Sequence, residues 1–190
     1  SPHLVEPTER IVIDGRPATA DEFAAAFAEV HRVAEAMMAA GTLDAHPTYF
    51  ETVTLMALHA FAAHRVDWAV IEVGLGGRLD ATNIVRPQLC VITPVDYDHE
   101  AWLGKSLGAI AREKAGILKP GVPAVLAPQH PLAREVINHR AAEVGAPLLD
   151  SAAWPVSELT IDATGSRFVT SGLPVDCPLA GEHQVENART

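Results

Sequence analysis

Two cysteines, Cys90 and Cys177, are too few for a disulfide framework, and both read as reduced thiols. No apolar run approaches the roughly 20 residues that a membrane-spanning helix requires. No signal-peptide pattern opens the chain, so the cytoplasm is the expected compartment. Positive charge is scarce. The net charge of −10 argues against nucleic acid as the main partner, because phosphate recognition requires a basic face. Blocks of like charge, internal repeats and low-complexity segments are missing too. What remains is 190 residues, 48% hydrophobic and 20% charged, the balance of a packed globule with one full core, or one core with a small appendage.

The order of elements predicts an α/β fold. Residues 10–14 read as a short strand closed by the turn Gly15-Arg-Pro17. Thr19-Ala-Asp-Glu22 has capping-box spacing, and Phe23, Phe27, Val30, Ala34 and Met37 then recur at helical intervals until Gly41. A second helix over about 49–64 is apolar nearly all round, which predicts deep burial. Strands are expected at 67–71, 89–93, 123–127 and 147–149, with helices at 106–118 and 131–144. Such alternation implies a mostly parallel sheet between two helical layers over 1–150. From Trp154 the texture changes to short alternating runs broken by glycine turns, predicting a small antiparallel meander over 151–180. Residues 181–190 start a further helix.

The chemistry concentrates in Glu72-Val-Gly-Leu-Gly-Gly-Arg-Leu-Asp-Ala-Thr-Asn83. Glu72 is expected at the C-terminal edge of the 67–71 strand, where open parallel sheets place their ligands. Gly74, Gly76 and Gly77 permit a sharp turn and close backbone approach. Two other motifs fail. Gly104-Lys-Ser106 resembles the end of a P-loop, but His99 stands where the required earlier glycine belongs. Gly74-Leu-Gly76 opens a dinucleotide fingerprint, but Leu79 occupies the third glycine position. If the strands before Glu72 and His99 are neighbours, about 5 Å apart, a carboxylate and an imidazole could reach one cation, and such a set suits Mg²⁺ or Mn²⁺. Lys114 could equally be a surface helix lysine. The remaining histidines show no ligand spacing.

Together, the 72–83 string, Asp98-His99 with Leu103-Gly104, and Glu113-Lys-Ala-Gly-Ile117 resemble the folylpolyglutamate synthase/dihydrofolate synthase family of Mur-ligase-like ATP-dependent amide ligases. Ser1-Pro-His-Leu4, Tyr49-Phe-Glu51 with Thr54, and Gly181-Glu-His-Gln184 with Asn187 extend the match along the chain. The resemblance implies a Mur-type central domain in which ATP phosphorylates a pteroate or folyl carboxylate and glutamate attacks the acyl phosphate. It implies Glu72 and Ser1 as ligands of one Mg²⁺, and His99 with a carbamylated Lys114 as ligands of a second, Lys114 and His99 serving catalysis. Thr48, Tyr49, Phe50 and Glu51, with Leu79, Asp80 and Ala81, match segments lining a pterin pocket, and Asn187 matches a nucleotide contact. The substrates would be small molecules and the protein a monomer. The family's P-loop lies upstream of Ser-Pro-His-Leu and its C-terminal domain beyond Thr190, so the chain reads as a partial central ATPase domain, inactive when isolated. A ligase acting on a peptidoglycan precursor and a non-catalytic binding remnant are the rivals.

Overall fold

The computed structural model describes residues 3–97 and 100–190. The chain divides into two compact units, residues up to Leu75 with Asp80–Ile84, and Gly76–Leu79 with Val85–Thr190.

The first unit is a helical pair with a small hairpin. Strands β1 (Val12–Ile13) and β2 (Arg16–Pro17) pair antiparallel across Asp14 and Gly15, both at positive φ (51° and 75°), the geometry of a two-residue turn. Helix α1 (Ala20–Ala39) starts at the expected capping box: the Thr19 hydroxyl accepts from Glu22 N–H (3.2 Å) and Glu22 accepts from Thr19 N–H (2.7 Å). Helix α2 (Tyr49–His64) begins with a second box, Thr48 and Glu51, and ends at Arg65 in the left-handed region. Ile11, Ala18, Ala26 and Met56 form the core, with Phe23, Val30 and Phe61 packed against it. The burial of α2 is one-sided, not all round: Val53, Thr54 and Met56 are buried, whereas Tyr49 and Leu55 are exposed.

Glu22 also takes a two-pronged ion pair from Arg16 (2.8 Å each). Hydrogen bonds from Arg16 and then from Thr19 hold its carboxyl far below the ordinary 4.5. A depressed folded-state value stabilises the fold above the unfolded pKa and loses that effect as pH falls toward the folded one. The melting-temperature gap between wild type and Glu22→Gln is therefore expected to be widest at neutral pH and to narrow below about 4.5. A gap independent of pH would refute this role.

In the second unit, β3 (Cys90–Ile92), β4 (Ala124–Leu126) and β5 (Leu148–Asp150) form a parallel sheet in that order. Helices α3 (Glu100–Leu103) and α4 (Leu107–Ala115) connect β3 to β4, and α5 (Pro131–Val144) connects β4 to β5. Central β4 is buried at every position, as expected for a parallel strand covered on both faces. Its core joins Ile92 and Leu126 to Ile110, Ala111 and Ala115 of α4 and Ala133, Ile137 and Ala141 of α5. Strands β6 (Val156–Asp162), β7 (Gly165–Thr170) and β8 (Leu173–Cys177) make the predicted meander. Helix α6 (Glu182–Arg189) follows. The fold is thus mixed α/β, with a parallel sheet and an antiparallel one near the C-terminus.

One predicted element is corrected. Residues 67–71 take no regular secondary structure, and Trp68 and Val70 are 82% and 95% exposed. A strand exists only when a neighbour receives its N–H and C=O groups, and among the described residues nothing pairs with this segment. Glu72 therefore follows an irregular segment, not a core strand. No helix of the described residues is long and apolar enough to cross a membrane.

Candidate active site

The glycine-rich stretch is divided between the two units: Gly74 and Leu75 belong to the first and Gly76–Leu79 to the second. In the first unit the Asp80 carboxylate clasps it. One oxygen accepts from the N–H groups of Gly74 (3.1 Å) and Leu75 (2.9 Å), the other from the Thr82 N–H (2.9 Å) and hydroxyl (2.5 Å). The Asp-x-Thr spacing makes this an Asx turn, a signal present in the sequence that residue-type reasoning missed. Gly74 lies against the Phe50 ring so closely that a Cβ there would stand 2.4 Å from it. The helical turn Ala81–Ile84 packs on α2. Asp80 and Phe50 thus shape the loop backbone directly.

Around the α2 N-terminus, Thr48 and Glu51 are occupied with the helix cap. The Glu51 carboxylate takes the Thr48 hydroxyl and N–H (2.7 Å each), which lowers its pKa. Tyr49 is more than half exposed, with the Arg10 guanidinium 5.6 Å above its ring. Arg10 in turn donates to His3 Nδ1 (2.9 Å). Glu72 is exposed in the same unit.

In the second unit the loop docks on the end of α4. The Arg78 N–H donates to the Glu113 carbonyl (2.9 Å), and its guanidinium Nε and Nη2 both reach Glu113 Oε1 (3.1 Å). Gly77 has φ +157°, and a Cβ there would lie 2.8 Å from the Glu113 carbonyl oxygen. Gly116 sits under Arg78 with equally little space. The Glu-Lys-Ala-Gly motif is thus in part a dock for the loop. Lys114, inside it, is half-buried, and its ammonium has no hydrogen bond or ion pair among the described residues. Ser106 of the discarded P-loop motif caps α4, accepting from Ala109 N–H (3.2 Å), and Lys105 is exposed. Leu79 is 78% exposed, and Asn187 is exposed on α6, donating to Gln184 (3.3 Å). Ser1 and His99 lie outside the described residues, so the expected approach of His99 to Glu72 falls there too.

The structure therefore places Thr48, Phe50, Glu51, Asp80 and Ala81 in one unit, where Phe50 and Asp80 touch the glycine loop, and Arg78 and Glu113 in the other, Glu113 being next to Lys114 in sequence and in contact with Arg78. The donors also bear on the expected Mg²⁺ sites. Glu72 offers a hard carboxylate oxygen, as Mg²⁺ prefers. Lys114 fits only as a carbamate, since an ammonium cannot ligate a cation.

The chain is 41% identical over 194 residues to the mitochondrial folylpolyglutamate synthase of Cricetulus griseus, covering 99% of this chain and 30% of that protein. It is 36% identical over 205 residues to the dihydrofolate synthase/folylpolyglutamate synthase of Mycobacterium tuberculosis, covering 99% of this chain and 42% of that one. A solved folylpolyglutamate synthase complex with AMPPCP and folate superposes with a TM-score of 0.89 at 32% identity, over 100% of this chain and 50% of the other. The chain thus spans half or less of the length of these relatives. Residues 17–190 match the Mur ligase middle domain, and the chain belongs to that family.

Proposed function

We propose that this chain is the central part of an ATP-dependent ligase that joins L-glutamate to dihydropteroate, to folyl-(poly)glutamate, or to both. The observation that carries the reading is Gly74 laid on Phe50 and clasped by Asp80, with Tyr49, the residue before Phe50, more than half exposed. A hydrogen-bonded glycine backbone against an aromatic side chain suits a flat heterocycle such as a pterin. The relatives' names and the bound AMPPCP and folate of the solved complex support the same substrates.

In this reading the α2 N-terminus and residues 79–81 line the pterin site, and Asn187 contacts the nucleotide. The substrate carboxylate takes the γ-phosphoryl group of ATP, and the glutamate amine displaces phosphate to form the amide. Glu72 with Ser1 would hold one Mg²⁺, and His99 with carbamylated Lys114 a second; bound cations neutralise the repulsion between phosphoryl group and attacking carboxylate. Asp80 and Arg78 act as positioning residues, each fixing the loop backbone within its own unit. We place the protein in the cytoplasm as a monomer.

The test is a glutamate-incorporation assay on the enzyme containing this chain, offered dihydropteroate, a folyl-glutamate, or a UDP-sugar peptide precursor. ATP-dependent turnover is expected with the pterin substrates only. Asp80→Ala removes four loop hydrogen bonds and is expected to raise KM for the pterin substrate about tenfold or more, at 1.4 kcal/mol per decade, with a smaller change in KM for ATP. Turnover of the UDP-sugar substrate alone would overturn the reading.

A further inference from the structure

His31, Glu35 and His46 are not among the residues assigned to the proposed reaction. His31 and Glu35 are one turn apart on α1, and His46 comes from the segment between α1 and α2. Glu35 Oε1 lies 2.9 Å from His46 Nε2 and 3.8 Å from His31 Nε2, and the three donor atoms all fall within 4.8 Å of one another. The two imidazoles stack, centroids 5.5 Å apart and planes 15° from parallel. Phe27 stacks on the other side of the column, against His31, at 5.5 Å and 10°. Sequence spacing gave no hint of this set, because its third member arrives from a loop.

We propose that these three side chains form a binding site for a borderline divalent transition metal, Zn²⁺ being the best fit. Bonds of about 2.0–2.2 Å at tetrahedral angles put donor atoms about 3.3 Å apart. The observed 2.9 and 3.8 Å bracket that value. The widest separation needs to close by about 1.5 Å, a small rotation for side chains that are each about half exposed. The imidazoles also line a hollow of about 270 Å³ walled by Val30, Ala34 and Pro47, which gives the rings room to turn. Two imidazole nitrogens and one carboxylate oxygen select Zn²⁺, Cu²⁺, Ni²⁺ or Co²⁺ over Mg²⁺, which prefers an all-oxygen shell. Three protein donors leave a coordination position open to water.

A lone His46–Glu35 ion pair would need neither His31 nor the column that places it. The metal would tie α1 to the segment that feeds α2, with His46 two residues before the Thr48 cap. The site is thus independent of the Mg²⁺ sites assigned under the proposed function, and its test does not involve ligase activity.

Metal-stripped protein is titrated with Zn²⁺ in competition with a chromophoric chelator, and separately with Co²⁺ followed by its visible spectrum. One tight Zn²⁺ equivalent is expected, retained in millimolar Mg²⁺, together with Co²⁺ d–d bands of tetrahedral intensity. The His31→Ala/His46→Ala double variant is expected to weaken Zn²⁺ binding on the order of 100-fold and to lose the Co²⁺ bands, and Glu35→Gln to weaken binding about tenfold. All three positions are exposed, and circular dichroism checks that the variants stay folded. Equal Zn²⁺ affinity in wild type and the double variant would assign the metal to other histidines and overturn the site. So would the lack of any binding tighter than millimolar.

Discussion

Under the proposed function, replacing Lys114 by alanine in the full-length protein is expected to lower the glutamate-ligation rate by about 100-fold or more, since even residues that only orient metal ligands cost 10–100-fold when removed. The lysine's place in α4 supports a role beyond the helix itself. Its neighbours are fully engaged: Glu113 holds Arg78 through carbonyl and carboxylate, Ala115 is completely buried, and Gly116 lies under Arg78. The backbone is thereby fixed on both sides, while the Lys114 ammonium has no partner among the described residues. In the proposed function this lysine, in its neutral amine form, adds CO₂, forming an N–C bond and releasing a proton to give a carbamate anion. Removing bicarbonate should then slow the wild-type enzyme and restoring it should recover the rate, while Lys114→Ala responds to neither. Lys114→Glu, which supplies an anionic oxygen on a shorter stem, should regain a small part of the activity without bicarbonate. Wild-type turnover by Lys114→Ala would show the lysine to be structural only.

Much of this arrangement was legible in the residues, and where it was not, the cause was contact between distant segments. Helix α2 has the bounds expected of it because its start signal is local: Thr48 and Glu51 cap each other three residues apart. Parallel strands β3, β4 and β5 were readable from short apolar runs framed by glycine and proline. The apolar run at 67–71 reads as a strand but is irregular, because composition reports apolarity and only a neighbouring backbone makes a strand. The chemical richness of the 72–83 loop was visible, but its shape was not. Arg78 meets Glu113 across 35 positions, and Phe50 meets Gly74 across a helix. Neither pair has a periodicity to betray it. The same holds for His46, which joins His31 and Glu35 only in three dimensions.

The loop's dependence on α4 has a sharp consequence at Gly116. Its backbone is right-handed helical, φ −63° and ψ −11°, so alanine is permitted there. In open space Gly116→Ala would stabilise the fold by about 0.4–1 kcal/mol, by restricting the unfolded chain. Space is what is missing: the new Cβ would stand 2.3 Å from Arg78 Cβ and 2.6 Å from Arg78 Cα. Relief requires Arg78 to retreat, but its N–H is bonded to the Glu113 carbonyl at 2.9 Å, and Gly77 beside it is packed against that same carbonyl. Overpacking of this kind costs about 1–3 kcal/mol, more than the entropic gain. We expect Gly116→Ala to lose about 1–2 kcal/mol net, lowering the melting temperature by several degrees for a chain of this size, at about 2–4 °C per kcal/mol. The ligation rate should fall with it, because the glycine loop is displaced from its dock. The contact is tested by deleting the side-chain atoms that Gly116→Ala would strike, the Cα remaining. In an Arg78→Gly background, which removes the opposing Cβ, Gly116→Ala should cost less than it does alone, with a coupling of about 1 kcal/mol. A higher melting temperature for Gly116→Ala, or equal costs in the two backgrounds, would show that the loop does not rest on α4 at this point.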